Sequence, residues 1–167
     1  QKSTIYRDEL SAFVDEAYKN KEINRVNTRN TTPVGFFDKK IVDFLHTQGI
    51  NADVRNIIVL EQYLITSDKY LKRHAAAGNA PTRQDWKNLF DYLADADVYW
   101  NGEKKNSLLF LKKLTEMKYL KIAVDVSATE KYLKLPKIDT MFYMDISTES
   151  ESGIEAYRNI IKLKKIR

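Results

Sequence analysis

The stretch Tyr119-Leu120-Lys121-Ile122-Ala123-Val124-Asp125-Val126 decides the fold class because its side chains alternate along the chain. Its large apolar residues occupy one set of alternate positions, and Lys121, Ala123 and Asp125 occupy the other. This alternation is typical of a β-strand with one face buried. The sequence around this strand should therefore form a sheet.

Three further segments with strand character surround it. They are Val98–Trp100, Ser107–Leu111 and Ile138–Ile146. The dipeptide Asn101-Gly102 favours a hairpin between the first two, and residues 103–105 lengthen its loop. We expect an antiparallel sheet of about four strands in this half of the chain.

Alternation in the last of these strands separates its side chains into two sets. Thr140, Phe142 and Met144 should share one face. The second set contains Met141, Tyr143 and Asp145, which should lie on the opposite face.

Helical patterns come mostly before the sheet. Apolar residues recur at helical spacing, and helix-starting and helix-ending residues flank them. The expected helices are Ser3–Asn20 (with Ile5, Leu10, Phe13, Val14 and Ala17 as its apolar stripe), Asp38–Gly49, Asp68–His74, Thr82–Ala94 and Glu149–Ile161, and Asn56–Leu60 is a short buried strand. The order predicts an α+β fold with N-terminal helices packed on one face of the sheet.

The polar segment Lys21–Thr32 has no periodicity and is predicted to be a linker. We place a boundary near Thr31. Residues 1–31 are then an N-terminal helix and linker, and residues 32–167 form the main domain.

Composition excludes several kinds of chemistry. The chain has no Cys, which excludes disulfides, thiolate metal sites and a cysteine nucleophile. No phosphate-binding glycine loop and no metal-ligand spacing occurs, so we expect no cofactor and no metal. No apolar run approaches the ~18 residues of a membrane span, so we expect no membrane partner. The net charge of +5, all of it from Val98 onward, permits an anionic partner.

The first candidate for a reactive group of side chains is Lys72-Arg73-His74. The chain has two His residues, and only His74 directly follows a Lys and an Arg; His46 lies in the last turn of a helix and is interpreted as structural. Metal-independent RNA cleavage needs an acid, a base and cations around a phosphate. His74 can be the acid or base, Lys72 and Arg73 can bind the phosphate, and Thr140 or Tyr143 can complete the site. The alternative, which the spacing alone favours, is that His74 is a helix-end residue bonded to a backbone carbonyl, beside two solvated cations.

Several short motifs carry a family resemblance through their order in the chain. They are Pro33-Val34-Gly35, Gly49-Ile50, Ile57-Ile58-Val59-Leu60, Lys72-Arg73-His74, Asp85 to Leu93, Asp97-Val98-Tyr99, Leu120 to Asp125 and Thr140-Met141-Phe142-Tyr143. In this order, the stretch from Pro33 to Ile146 resembles the phage-borne nuclease domains grouped with barnase, EndoU, colicin E5 and D, and RelE. Such domains occur in Mu F-like minor head proteins of phages.

The resemblance implies both a fold and a function. It implies N-terminal helices on a four-stranded antiparallel sheet and a toxin-like endoribonuclease, with acid/base duty on His74 and a supporting polar role for Thr140. It also implies RNA as substrate, an immunity protein or a phage head protein as partner, and a cytoplasmic, target-cell or virion location. The alternatives are a non-catalytic structural or interaction module of a phage or mobile-element protein, and a plain RNA-binding domain.

Overall fold

A computed structural model of the chain describes residues 2–26, 28–52, 57–67, 78–103, 106–126, 135–147 and 151–167. Within these residues the chain forms six helices and one seven-stranded sheet. The helices are α1 (Lys2–Glu22), α2 (Lys39–Thr47), α3 (Gln62–Thr66), α4 (Arg83–Lys87), α5 (Leu89–Asp95) and α6 (Glu151–Ile161). The strands are β1 (Thr31–Phe36), β2 (Ile57–Glu61), β3 (Asp97–Asn101), β4 (Ser107–Thr115), β5 (Lys118–Asp125), β6 (Lys137–Asp145) and β7 (Lys164–Lys165).

The strand order in the sheet is β1-β2-β6-β5-β4-β3-β7. Strands β3 to β6 pair antiparallel in sequence order and are the four that the sequence predicted. Strands β1 and β2 form an antiparallel pair that joins β6 in parallel, with Val59 opposite Lys137. The predicted α+β class is confirmed, but the sheet is mixed and has seven strands rather than about four.

Helices pack on both faces of the sheet, not on one. The main core lies between the inner face of the sheet and the helices α1, α2, α4 and α5. A second, smaller cluster lies on the opposite face, which we call the outer face, under α6. Its buried members are Tyr99, Leu109, Leu111, Ala123, Met144 and Ile160. Helix α6 therefore covers one end of the outer face.

The predicted helix-end signals act as expected. The side chain of Asp38 accepts a hydrogen bond from the backbone N–H of Ile41 at the start of α2. Gly49, just beyond the end of α2, has a φ of 74°, a conformation that favours glycine. Thr82 and Asp85 form a reciprocal capping box at the start of α4. Local sequence thus fixes where these helices begin and end.

Helix α1 contributes to the same core as the sheet. Leu10, Val14 and Ala17 are completely buried in the main cluster. Ile5, which the helical spacing placed on the same stripe, is 59% exposed and lies outside that cluster. The boundary near Thr31 stays a prediction, and strand β1 begins at that residue.

The segment after α1 is held by a buried polar group on α3. The side-chain oxygen of Gln62 accepts hydrogen bonds from the Asn20 amide, at 2.9 Å, and from the Thr28 hydroxyl. The hydroxyl of Thr66 donates to the backbone carbonyl of Val26 at 2.9 Å. These bonds order a stretch that composition alone predicted to be a linker.

The basic C-terminal stretch, residues 162–167, includes one structural arginine. The guanidinium of Arg167 donates to the carbonyls of Leu93 and Ala96, at 2.7 and 2.8 Å, at the end of α5. It also forms an ion pair with Asp38 at 2.8 Å. Partial burial alone would raise the pKa of Asp38, but the hydrogen bonds from Arg167 and Ile41 lower it.

Replacing Leu10 by Ala should lower the free energy of unfolding by about 2–5 kcal/mol, because it leaves a cavity among completely buried side chains. Urea unfolding followed by circular dichroism measures the change. The matched control is Ile5→Ala on the same helix, which should stay within about 0.5 kcal/mol of the parent chain. Equal effects of the two substitutions would contradict the packing of α1 on the sheet.

Candidate functional site

Strand β6 places Thr140 and Tyr143 on opposite faces of the sheet. Thr140 lies opposite Ala123 of β5, which belongs to the cluster under α6. Tyr143 lies opposite Leu120, a main-core residue, and itself packs against the main core. The two side chains proposed from sequence for one site are therefore on different sides of the strand.

An irregularity in the pairing of β5 with β6 precedes Thr140 and decides which residues at the start of β6 enter the main core. Ala123 faces Thr140 and the next residue, Val124, faces Ile138, so Asp139 is an extra residue in β6. Ile138 and Met141 can then both be buried in the main core. Thr140 remains partly exposed on the outer face.

The hydroxyl of Tyr143 is engaged in a buried network around Asp85. Asp85 is 6% exposed, and its carboxylate accepts hydrogen bonds from the backbone N–H and the hydroxyl of Thr82, both at 2.9 Å. It also accepts from the hydroxyl of Tyr92, at 3.0 Å, and from the hydroxyl of Tyr143. Tyr143 thus ties β6 to α4 and α5 through a buried charge.

The same network affects the titration of Tyr92. Burial is the main cause that raises the pKa of the Tyr92 phenol, and the carboxylates of Asp85 and Asp91 raise it further. The hydrogen bond with Asn88 acts in the opposite direction and is outweighed. Tyr92 therefore stays protonated and continues to donate to Asp85 at neutral pH.

Polar and charged side chains surround Thr140 on the outer face. We call this group the outer strip: Lys121 and Asp125 of β5, and Lys137, Thr140 and Phe142 of β6. Lys121 faces Phe142 across the strands, with its ammonium nitrogen 5.1 Å from the ring centroid, and Asp125 faces Lys137. The strip presents a hydroxyl between two lysines, a combination suited to an anionic ligand such as a phosphate.

An ion-pair network lies at one end of the outer strip. The carboxylate of Glu61, at the end of β2, contacts the ammonium of Lys137 at 3.4 Å and the guanidinium of Arg29 at 3.5 Å. The side chains of Glu61 and Lys137 are 9% and 13% exposed, whereas that of Arg29 is 58% exposed. Glu61 thus holds Lys137 in place, and Arg29 remains accessible to solvent.

Sequence reasoning did not identify the residues of this network. Glu61 and Lys137 are 76 positions apart and meet only because β2 and β6 are neighbours in the sheet. The available signal was a pair of charged residues at strand ends, Glu61 after a β-branched run and Lys137 after Pro136.

An open pocket of about 380 Å³ lies at the end of β6 close to α6. Within it, the backbone N–H of Tyr143 donates to the carbonyl of Asn79 at 2.9 Å, and the ammonium of Lys118 lies 4.1 Å from the Tyr143 ring centroid. Its lining consists of Gly78, Asn79, Lys118, Phe142, Tyr143, Met144, Asp145, Ser152, Gly153 and Ala156. Both faces of β6 therefore contribute to this pocket, including Phe142 of the outer strip.

One carboxylate in this pocket is held in its charged form. The backbone N–H of Ser147 donates to Asp145 at 2.9 Å, and this bond is the main cause that lowers the pKa of Asp145. The nearby charge of Lys118 contributes in the same direction. The pocket consequently contains a charged carboxylate near the side chain of Lys118.

The predicted residues Lys72, Arg73 and His74 lie outside the described residues, and their roles stay predictions. In the sequence, Gly78 of the pocket follows His74 by four positions. The other histidine, His46, donates from Nε2 to the carbonyl of Ala52 at 2.6 Å. This bond supports the interpretation of His46 as structural.

Two kinds of feature are absent from the described part of the chain. Among those residues, no group of three or more His, Cys, Asp or Glu side chains is placed to hold a metal ion. None of the helices described there combines the length and apolar character needed to cross a membrane.

Comparisons with known proteins gave no assignment: no family model matches the chain, and neither the curated proteins nor the solved structures gave a significant match.

Replacing Tyr143 by Phe should lower the free energy of unfolding by about 1–3 kcal/mol, because the buried carboxylate of Asp85 loses one of its donors. Thermal or urea unfolding measures the effect. Tyr6→Phe is the matched control, since Tyr6 contacts Phe36 and Phe90 through its ring. An unchanged stability of the Tyr143→Phe chain would refute the structural role of this hydroxyl.

Proposed function

We propose that the chain is a metal-independent endoribonuclease that cleaves RNA by attack of a ribose 2′-hydroxyl on the adjacent phosphate. The single observation that carries the proposal is the position of Thr140. It lies partly exposed on the outer strip with Lys121 and Lys137 rather than in the core. The resemblance of Pro33 to Ile146 to barnase-like and RelE-like nucleases supports the same function.

The reaction needs few groups, and the chain supplies candidates for each. The 2′-oxygen loses its proton to a base and bonds to phosphorus, and the 5′-oxygen leaves and takes a proton from an acid. The products are a 2′,3′-cyclic phosphate and a 5′-hydroxyl. His74 carries out one of the proton transfers, and Lys72 and Arg73 hold the phosphate.

Of the two hydroxyls considered from sequence, we assign the supporting role to Thr140. The hydroxyl of Tyr143 donates to a buried carboxylate, and a group so engaged is not free to donate to a phosphate. The hydroxyl of Thr140 can donate to a phosphate oxygen as negative charge develops in the transition state. The ammonium of Lys137, held in place by Glu61, lies on the same face.

The alternative is a non-catalytic module that binds nucleic acid or an acidic protein, and the net charge of +5 favours it equally. RNA cleavage distinguishes the ribonuclease from the non-catalytic module. A module binds RNA, or a protein, and leaves RNA intact under all conditions.

The His74→Ala chain should cleave RNA about 10²–10⁴-fold more slowly than the parent chain, with EDTA present throughout. A fluorophore-labelled RNA resolved by gel electrophoresis measures the rate. The control is His46→Ala, which removes the other histidine of the chain and should leave the rate nearly unchanged. Intact RNA with the parent chain, or equal rates for the two variants, would contradict the assignment of His74.

The Thr140→Val chain should retain its stability and lose about 10²–10³-fold in cleavage rate, because it lacks one donor to the transition state. Thr31→Val, an exposed strand substitution elsewhere in the sheet, serves as the matched control. Tyr143→Phe, assayed below its unfolding temperature, should cleave at a rate close to that of the parent chain. A larger loss in Tyr143→Phe than in Thr140→Val would reverse the assignment.

A further inference from the structure

A second open pocket, of about 470 Å³, lies at the opposite edge of the sheet from β1. It is formed by the β3–β4 loop, the end of α2 and the segment from α6 to β7. Its lining consists of Gln48, Trp100, Asn101, Gly102, Glu103, Asn106, Lys162, Leu163 and Lys164. None of these residues takes part in the proposed catalytic site.

The charged residues of the pocket are two lysines, Lys162 and Lys164, and one carboxylate, that of Glu103. Within the described part of the chain, Lys162 and Lys164 form no ion pair, whereas the neighbouring Lys165 and Arg167 pair with Asp97 and Asp38. Lys162 and Lys164 are both exposed. The charge at this pocket is thus available to an anion from solvent.

The pocket also has an aromatic wall and side-chain amides. Trp100 is partly exposed, and its ring is braced by Phe44, with centroids 5.5 Å apart. A Cβ at Gly102 would lie 2.6 Å from the indole nitrogen, so glycine there lets the loop approach the ring closely. Asn101 and Asn106 add amide donors and acceptors. An aromatic ring, amides and two free lysines together match the base and phosphates of a nucleotide.

One row of the sheet connects this pocket to the outer strip. Asn101 lies opposite Ser107, Ser107 opposite Asp125, and Asp125 opposite Lys137. Three steps between neighbouring strands span about 14 Å. Because Trp100 and Lys164 lie on the other face of the sheet, a short single strand of RNA that contacts both Lys137 and this pocket crosses the end of β3 at Asn101.

We infer that this pocket binds a nucleotide of single-stranded RNA adjacent to the strand segment held at the outer strip. The inference deepens the proposed ribonuclease function, because it assigns the path of the substrate strand. Lys162 and Lys164 contact phosphates, and Trp100 with Asn101 and Asn106 contacts a base.

The test is a titration of the full chain with a short 2′-O-methyl oligonucleotide, which cannot be cleaved by 2′-hydroxyl attack. The other tryptophan of the chain, Trp86, is completely buried, so a change in tryptophan fluorescence on binding reports on Trp100. The substitution Trp100→Phe should remove this change.

In the double variant Lys162→Ala/Lys164→Ala, the affinity for the oligonucleotide should fall roughly tenfold. The slope of log affinity against log salt should also fall by about 1.4, from two lost phosphate contacts.

The matched control is the double variant Lys39→Ala/Lys113→Ala, which also removes two positive charges. In the parent chain, Lys39 pairs with Asp43 and Lys113 pairs with Glu116. Equal affinity and salt slope in the two double variants would overturn the inference, as would a parent chain that does not bind the oligonucleotide. If uridine monophosphate binds as tightly as the oligonucleotide and depends in the same way on the two lysines, the pocket binds a free nucleotide. That result would overturn the inference that the RNA strand passes through the pocket. A chain that binds as expected but leaves RNA intact contradicts the ribonuclease function alone.

Discussion

The parallel contact between β2 and β6, where Val59 lies opposite Lys137, joins the two parts of the sheet. The backbone N–H of Val59 donates to the carbonyl of Pro136 at 3.0 Å and fixes this register. Without it, the β1–β2 pair would be separate from the β3–β6 strands, and Glu61 would not reach Lys137. Because the pair is parallel, the chain must cross over between its strands, and the residues of α3 to α5 and β3 to β5 lie in between.

The charges at this contact have a physical consequence for the outer face. A lysine as little exposed as Lys137 is unfavourable alone, and the carboxylate of Glu61 offsets its loss of solvation. The pair is therefore a fixed dipole at the end of the strip, and the guanidinium of Arg29, on the other side of Glu61, is the more exposed of its two cations.

Sequence reasoning succeeded where local signals decide structure. Alternation identified β3 to β6 and the face of Thr140, and capping residues identified the starts of α2 and α4. It did not identify β1 as a paired strand, since Pro33 and Gly35 are poor strand residues and pairing with β2 overrides that preference. The contacts of Glu61 with Lys137 and of Asp85 with Tyr143 join distant positions, and no local pattern encodes them. The roles of Lys72, Arg73 and His74 are still predictions.

The network of Asp85 bears on the order in which the chain can fold. Asp85 and Tyr143 are 58 positions apart, so during synthesis α4 and α5 emerge well before their last donor. Until β6 is made, burying this carboxylate would leave it short of a hydrogen bond, which disfavours early docking of the helices. During synthesis on the ribosome, helices α4 and α5 should therefore dock only loosely on the rest of the chain. The core should close only when β6 joins the sheet.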